Sequence, residues 1–60
     1  MTDIRLMHNG IEYTAEYEVV GDTLLVHLAD GSTRETELRG LNPFSAAMAH
    51  LRSFVLSQPK

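Results

Sequence analysis

The sequence predicts an α+β fold in which a four-stranded antiparallel β-meander is followed by one C-terminal helix packed on one face (β-β-β-β-α). Apolar and polar residues alternate with a period of two through most of residues 2–39, and three tight-turn signals interrupt the alternation. From Asn42 onward the apolar residues recur at helical spacing. A chain of 60 residues makes one domain at most, so we expect a single small domain over 1–60.

The first reversal is predicted at Asn9-Gly10, a dipeptide that favours a type I′ turn between two strands. A two-residue loop at this position pairs His8 with Ile11 and continues with Ile4 opposite Ala15. The strands on either side then span about 2–8 and 11–20. In the second strand, IEYTAEYEVV, the apolar residues share one face and the glutamates the other, which is typical of a half-buried strand.

The second reversal is predicted at Gly21-Asp22, because glycine tolerates the positive φ that a two-residue hairpin loop requires. This loop places Val19 opposite Leu24 and starts a third strand at about 23–29. The apolar residues of the second strand then meet apolar residues of the third strand on the same face. A shift of one residue would destroy this agreement, so the pattern predicts the register as well as the turn.

The third reversal lies around Asp30-Gly31 and allows two interpretations. A three-residue loop over 29–31, with Gly31 in the left-handed conformation, pairs Leu28 with Ser32. It places Arg34, Thr36 and Leu38 on the inner face. A two-residue loop would instead put Thr33, Glu35 and Glu37 on the apolar face. We therefore prefer the three-residue loop.

After a fourth strand at about 32–39, the pattern becomes that of a helix over about 43–57. Asn42 is a good N-cap, and Pro43 suits the first helical position. The apolar stripe of this helix is expected to cover the inner face of the sheet and to leave the outer face open. The stripe consists of Phe44, Ala47, Met48, Leu51, Phe54 and Val55.

Composition limits the classes of function. The net charge is −3 and the pI is about 5.4, whereas nucleic-acid-binding domains are usually basic. There is no cysteine, so disulfides and thiolate metal sites are excluded. No run approaches the ~20 apolar residues that span a bilayer, and the N-terminus shows no export signal. We therefore expect a cytoplasmic protein that does not associate with membranes.

The outer face of the sheet is expected to carry the functional surface, because no helix covers it. One interpretation is an ordinary solvated face, with Glu16 opposite His27. The other is an interface, because several apolar residues have nothing in this chain to cover them. The polar residues considered for this face are Arg5, Glu16, Glu18, His27 and Glu35. The candidate interface residues are Met7, Val20 and Leu25 on the sheet, and Leu41 and Leu56 outside the helix stripe.

No residue pattern predicts catalysis, a cofactor or a metal site. The sequence has neither a glycine-rich phosphate loop nor a G-x-S-x-G motif. A zinc site usually needs three or four converging ligands, and His8, His27 and His50 do not supply them. His27 with Glu16, and with Glu18 as a diagonal neighbour, offers only two or three ligands, so we interpret His27 as half of a cross-strand surface pair with Glu16. The sequence predicts a protein that is not an enzyme.

These observations favour a homodimeric protein–protein interaction module, because twofold pairing is the commonest oligomer and small domains often need a partner. An additional, unidentified protein partner is compatible with the acidic face. The alternative is a single-stranded nucleic-acid-binding or regulatory protein. It requires one surface that joins the arginines to an exposed tyrosine (Arg34, Arg39 and Arg52 with Tyr13 or Tyr17). The element order resembles that of dimeric single-strand-binding coactivator proteins, but shared topology does not carry function.

Overall fold

A computed structural model describes residues 1–58 of the chain, so the last two residues of the predicted domain lie outside the described residues. Its strands form one antiparallel sheet in the order β1-β2-β3-β4, and α1 follows and packs against β1, β2 and β3. The predicted fold class is confirmed. The elements are β1 (Thr2–His8), β2 (Ile11–Val20), β3 (Thr23–His27), β4 (Thr33–Glu37) and α1 (Pro43–Leu56). Compared with the expected ranges, β3 and β4 each end two residues earlier and α1 ends one residue earlier.

The first hairpin has the predicted turn and register. Asn9 and Gly10 both have positive φ, 52° and 79°, as a type I′ turn requires. His8 lies opposite Ile11, and Ile4 lies opposite Ala15. Asparagine is among the few residues with a side chain that enter the left-handed region readily, which is why this dipeptide identified the turn.

The second and third reversals also agree with the predicted registers. Gly21 has φ of 64°, and the residues after it pair so that Val19 lies opposite Leu24. In the third hairpin the Leu28 N–H donates to the Ser32 carbonyl at 2.9 Å, and Gly31 has φ of 89°. The three-residue loop is therefore confirmed.

The carboxylate of Asp30 stabilises that third loop. Its Oδ1 accepts hydrogen bonds from the hydroxyl of Ser32 at 2.6 Å and from the backbone N–H of Ser32 at 2.9 Å. These hydrogen bonds lower the pKa of Asp30 below its ordinary value, and the bond from the hydroxyl has a larger effect than the bond from the N–H. Such local capping by a short acidic side chain is the usual reason for finding aspartate in turns.

A fourth tight turn, which the sequence did not predict, follows β4. Arg39 and Gly40 have positive φ, 49° and 87°, and the Leu41 N–H donates to the Leu38 carbonyl at 2.9 Å. The side chain of Asp22, from the β2–β3 turn, accepts a hydrogen bond from the Arg39 N–H at 3.2 Å. The expected strand therefore stops early, because this contact and the glycine allow the chain to reverse.

The core lies between the inner face of the sheet and α1. Leu24, Val26 and Leu51 are its largest fully buried side chains. Tyr13 and Tyr17 are half-buried and pack against it. Over residues 1–58 the buried residues are Ile4, Ala15, Leu24, Val26, Leu28, Leu38, Ala47, Leu51, Phe54 and Val55.

The helix is shorter than the strands it covers, and this explains two exposed residues on the inner face. A helix of 14 residues extends over about 21 Å, whereas the 10 residues of β2 extend over about 33 Å. Ile11 and Val19, near the two ends of β2, consequently remain 54% and 43% exposed.

The start of α1 follows the predicted capping chemistry. The Asn42 side chain accepts a hydrogen bond from the Ser45 N–H at 3.1 Å, and Pro43 occupies the first turn. One residue of the predicted stripe was placed incorrectly. Phe44 is 54% exposed, since it lies in the first turn at the margin of the stripe.

Candidate interaction surfaces

The outer face of the sheet contains one hydrogen-bonded polar cluster, centred on His27. Its backbone lies opposite Glu16, as the register predicted. Its imidazole, however, contacts the diagonal neighbour Glu18, with 3.1 Å between Nε2 and Oε2. The other ring nitrogen, Nδ1, lies 3.1 Å from the hydroxyl oxygen of Thr33. Both ring nitrogens of His27 are thus engaged within the sheet, and Glu18 is its carboxylate partner.

Acidic side chains dominate this outer face. Alternation of the strands directs Asp3, Glu12, Glu16, Glu18, Glu35 and Glu37 outward, with Arg5 and His27. Asp3 even lies directly opposite Glu16. Like charges in such cross-strand positions are destabilising. Two copies of this face would therefore repel one another.

The five predicted interface residues do not form one surface. Met7 lies opposite Glu12, which is eight residues along β2 from Val20, so Met7 and Val20 are about 26 Å apart. Leu25 is half-buried between Glu18 and Glu35 on the outer face. Met7 and Val20 are 62% and 58% exposed. Leu41 and Leu56 are 61% and 64% exposed, and lie at opposite ends of α1 on the other side of the molecule.

The solvent side of α1 is unusually poor in charge. We call it the α1 outer surface, and its exposed residues are Leu41, Phe44, Ser45, Ala49, Arg52, Ser53 and Leu56. Arg52 is its one charged residue. A surface helix of a globular protein ordinarily presents a charged or polar face to water. The helical periodicity assigned Phe44 to the core, so its exposure at the start of α1 was not predicted.

The two edge strands of the sheet differ in length and charge. β1 pairs with β2 through seven consecutive residues without a bulge, and its outward residues Asp3, Arg5 and Met7 are exposed. The β4 edge has five residues, and its corresponding positions include Glu35 and Glu37. The β1 edge is thus longer and carries balanced charge.

His50, on the flank of α1 nearest β4, is half-buried. Its Nε2 lies 2.7 Å from the hydroxyl oxygen of Thr36. The pKa of His50 is lowered below its ordinary value of 6.5. Burial of the ring is the main cause, and the positive charge of Arg34 is the second. The folded protein therefore favours the neutral form of His50 more than the unfolded chain does.

This pKa predicts a loss of stability on acidification. Because the unfolded chain binds the proton more tightly than the folded protein, the contribution of neutral His50 is present above the unfolded pKa. It is lost as the pH falls through the lowered folded pKa. We expect the free energy of unfolding to decline less steeply between about pH 7 and 5 in a His50→Gln variant than in the unmodified chain. Urea titrations at each pH measure this difference, and identical slopes would contradict it.

The arrangement needed for nucleic-acid stacking is absent from residues 1–58. Arg34 lies near His50. Arg52 follows His50 by two residues in α1, which places it about 160° from His50 around the helix axis, at roughly 100° per residue. Arg39 is paired with Glu37, with 3.2 Å between Nε and Oε2. The arginines are thus spread over different sides of the molecule. Tyr13 and Tyr17 are half-buried and pack against the core.

A groove of about 650 Å³ lies between the β1–β2 turn and the end of α1. It contains a histidine but no carboxylate that could act with it as an acid–base pair. Its lining residues are His8, Asn9, Ile11, Tyr13, Val55, Leu56 and Gln58.

Over residues 1–58, no three histidine or acidic side chains gather closely enough to hold a metal ion. In the same part of the chain, α1 is not long and apolar enough to cross a membrane. No protein family matches this sequence, and neither a curated protein nor a solved structure matches it.

Proposed function

We propose that this chain is a homodimeric, non-enzymatic protein–protein interaction module. The observation that carries the proposal is the α1 outer surface, where Phe44 and Leu56 are 54% and 64% exposed and Arg52 is the one charged residue. Phe44 and Leu56 lie about 18 Å apart along α1, and with Arg52 as the one charge between them this side of the helix is the part of the described surface best suited to contact with another protein.

The size of the domain supports self-association in particular. A chain of about 60 residues buries only about 60% of its unfolded surface and is correspondingly marginal in stability. Domains of this size gain stability from disulfides, metals or a partner chain. With no cysteine in the sequence, a second copy is the simplest of these sources.

The distribution of charge limits where the second copy can bind. The acidic outer face of the sheet repels a copy of itself, as described above. Self-association must therefore involve the helix side or the sheet edges. The acidic face then remains open for a basic surface on a different protein, where complementary charge would accelerate association.

Sedimentation of the unmodified protein tests the proposal. We expect a dimer at concentrations of tens of micromolar and a midpoint of thermal unfolding that rises with protein concentration, because association stabilises the folded state by mass action. A monomer at millimolar concentration, with a midpoint that does not depend on concentration, would contradict it. The measurement requires no assumption about which surface forms the contact.

A further inference from the structure

The free edge of β1 has hydrogen-bonding groups available for another strand. The two-residue loop at Asn9-Gly10 is closed by the hydrogen-bonded pair of His8 and Ile11. Hydrogen-bonded and non-hydrogen-bonded pairs alternate along an antiparallel ladder. The even-numbered residues of β1 therefore bond to β2. The N–H and C=O groups of Asp3, Arg5 and Met7 point away from the sheet.

This edge lacks most of the features by which proteins usually prevent strands from pairing, and the charged side chains of Asp3 and Arg5 are the exception. Natural edge strands are kept short, or carry lysine, proline or a bulge. β1 has seven residues, its ladder with β2 is continuous, and its sequence TDIRLMH contains neither lysine nor proline. The outward residues Asp3, Arg5 and Met7 are all exposed, so none of the residues 1–58 covers them.

Charge favours one of the registers that two β1 strands can adopt. Only registers that place odd-numbered residues opposite odd-numbered residues bring the free backbone groups together. A twofold axis at Asp3 places this residue opposite its own copy, and an axis at Arg5 does the same for arginine. An axis at Ile4 instead places Asp3 opposite the partner's Arg5, twice. Like charges directly opposite are destabilising, whereas opposite charges contribute favourably.

We propose that two copies of this chain pair antiparallel through their β1 edges, with Ile4 at the twofold axis and Asp3 of each copy opposite the partner's Arg5. This deepens the homodimer proposed above and rests on it. The central pairs contribute about four main-chain hydrogen bonds. The pairing also places exposed Met1 opposite the partner's Met7, so that each covers the other.

Two features of the single chain favour this pairing. Asp3 lies opposite Glu16, and among residues 1–58 neither Asp3 nor Arg5 makes a side-chain hydrogen bond or an ion pair within 4.0 Å. The partner's Arg5 supplies the compensating charge. The β4 strand does not offer this, because its outward residues Thr33, Glu35 and Glu37 include no positive charge to pair with a glutamate of the second copy.

The resulting dimer has a continuous eight-stranded sheet. Antiparallel strand pairing keeps the faces of the two sheets aligned, so both α1 helices lie on one side and both acidic faces on the other. The dimer thereby presents two α1 outer surfaces side by side.

Charge exchange at β1 tests the register. The single variants Asp3→Arg and Arg5→Asp each convert two favourable pairs into two like-charge pairs, so we expect the dimer dissociation constant to rise by at least about tenfold. The double variant Asp3→Arg/Arg5→Asp restores opposite charges and should return the constant to within about threefold of the unmodified value. Glu35→Arg and Arg39→Asp make the same changes in net charge outside β1 and the α1 outer surface, and should have little effect.

The outcomes separate this inference from the homodimer itself. If the unmodified protein is a monomer, both proposals fail. If it is a dimer and the single variants associate as tightly as the controls, the β1 pairing is wrong while the homodimer stands. Weakened single variants whose effects the double variant does not reverse would also overturn the register.

Disulfide trapping gives a readout that does not depend on charge. The chain has no cysteine, so Asp3→Cys and Arg5→Cys each introduce a single thiol. Directly opposed hydrogen-bonded residues have Cα atoms about 5.5 Å apart, within the range of a disulfide. Mild oxidation of a mixture should link the two proteins to each other. Either protein alone should remain unlinked, since the two copies of one position are then about 8 Å apart. Self-linking of Arg5→Cys alone would overturn the register.

Discussion

Replacing Leu24 with alanine is expected to lower the free energy of unfolding by about 2–5 kcal/mol, whereas the same replacement at Leu25 should cost about 1 kcal/mol or less. The two leucines are neighbours in β3 and point to opposite faces of the sheet. Leu24 is 0% exposed in the core, and Leu25 is half-buried on the outer face. The chemical change is identical, so the difference reports burial alone.

The size of the expected loss can be compared with the whole stability of the domain. At about 0.05–0.15 kcal/mol per residue, 60 residues give about 3–9 kcal/mol in total. Leu24→Ala should therefore leave a substantial unfolded population at room temperature. Urea titration followed by circular dichroism measures both variants at one protein concentration. Equal losses would show that the two faces of the sheet have been assigned the wrong way round.

The hairpins were predictable because two independent signals agreed. Asn9-Gly10 and Gly21-Asp22 specify loops of two residues, and each loop length fixes a register. The period-two pattern of apolar residues in β2 separately requires the same registers. Where both signals point to one pairing, a one-residue shift would lose the turn chemistry and the apolar face together.

The turn after β4 could not be predicted, because its cause lies far away in the sequence. Arg39-Gly40 is not a typical hairpin dipeptide, and arginine enters the left-handed region only at a cost. The stabilising contact comes from Asp22, which accepts a hydrogen bond from the Arg39 N–H across the end of the sheet. Local sequence patterns contain no information about such a contact.

The candidate surfaces were only partly predictable for a related reason. Strand alternation correctly placed Arg5, Glu16, Glu18 and Glu35 on the outer face, but it could not choose between the two carboxylates near His27. The diagonal partner Glu18 was selected by side-chain geometry. The exposure of Phe44 depends likewise on how far α1 reaches across the sheet, which its helical periodicity does not report.

Within α1, the replacement Leu51→Ala is expected to cost about 2–5 kcal/mol, and Leu56→Ala well under 1 kcal/mol. Leu51 is 0% exposed and belongs to the core, whereas Leu56 is 64% exposed at the end of the helix. Both changes substitute alanine, the best helix former, so helix propensity contributes little to either value. Thermal unfolding at a low protein concentration, where the chain is monomeric, measures the two losses.

The same pair of variants also tests the place of Leu56 in self-association. If two copies pair through β1, Leu56 remains on the α1 outer surface of the dimer, so Leu56→Ala should leave the dimer dissociation constant unchanged. A rise of tenfold or more with the monomer's stability intact would instead place the contact on the helix. In that event the charge-exchange variants at Asp3 and Arg5 should have no effect on association, and the two experiments together assign the dimer to one surface or the other.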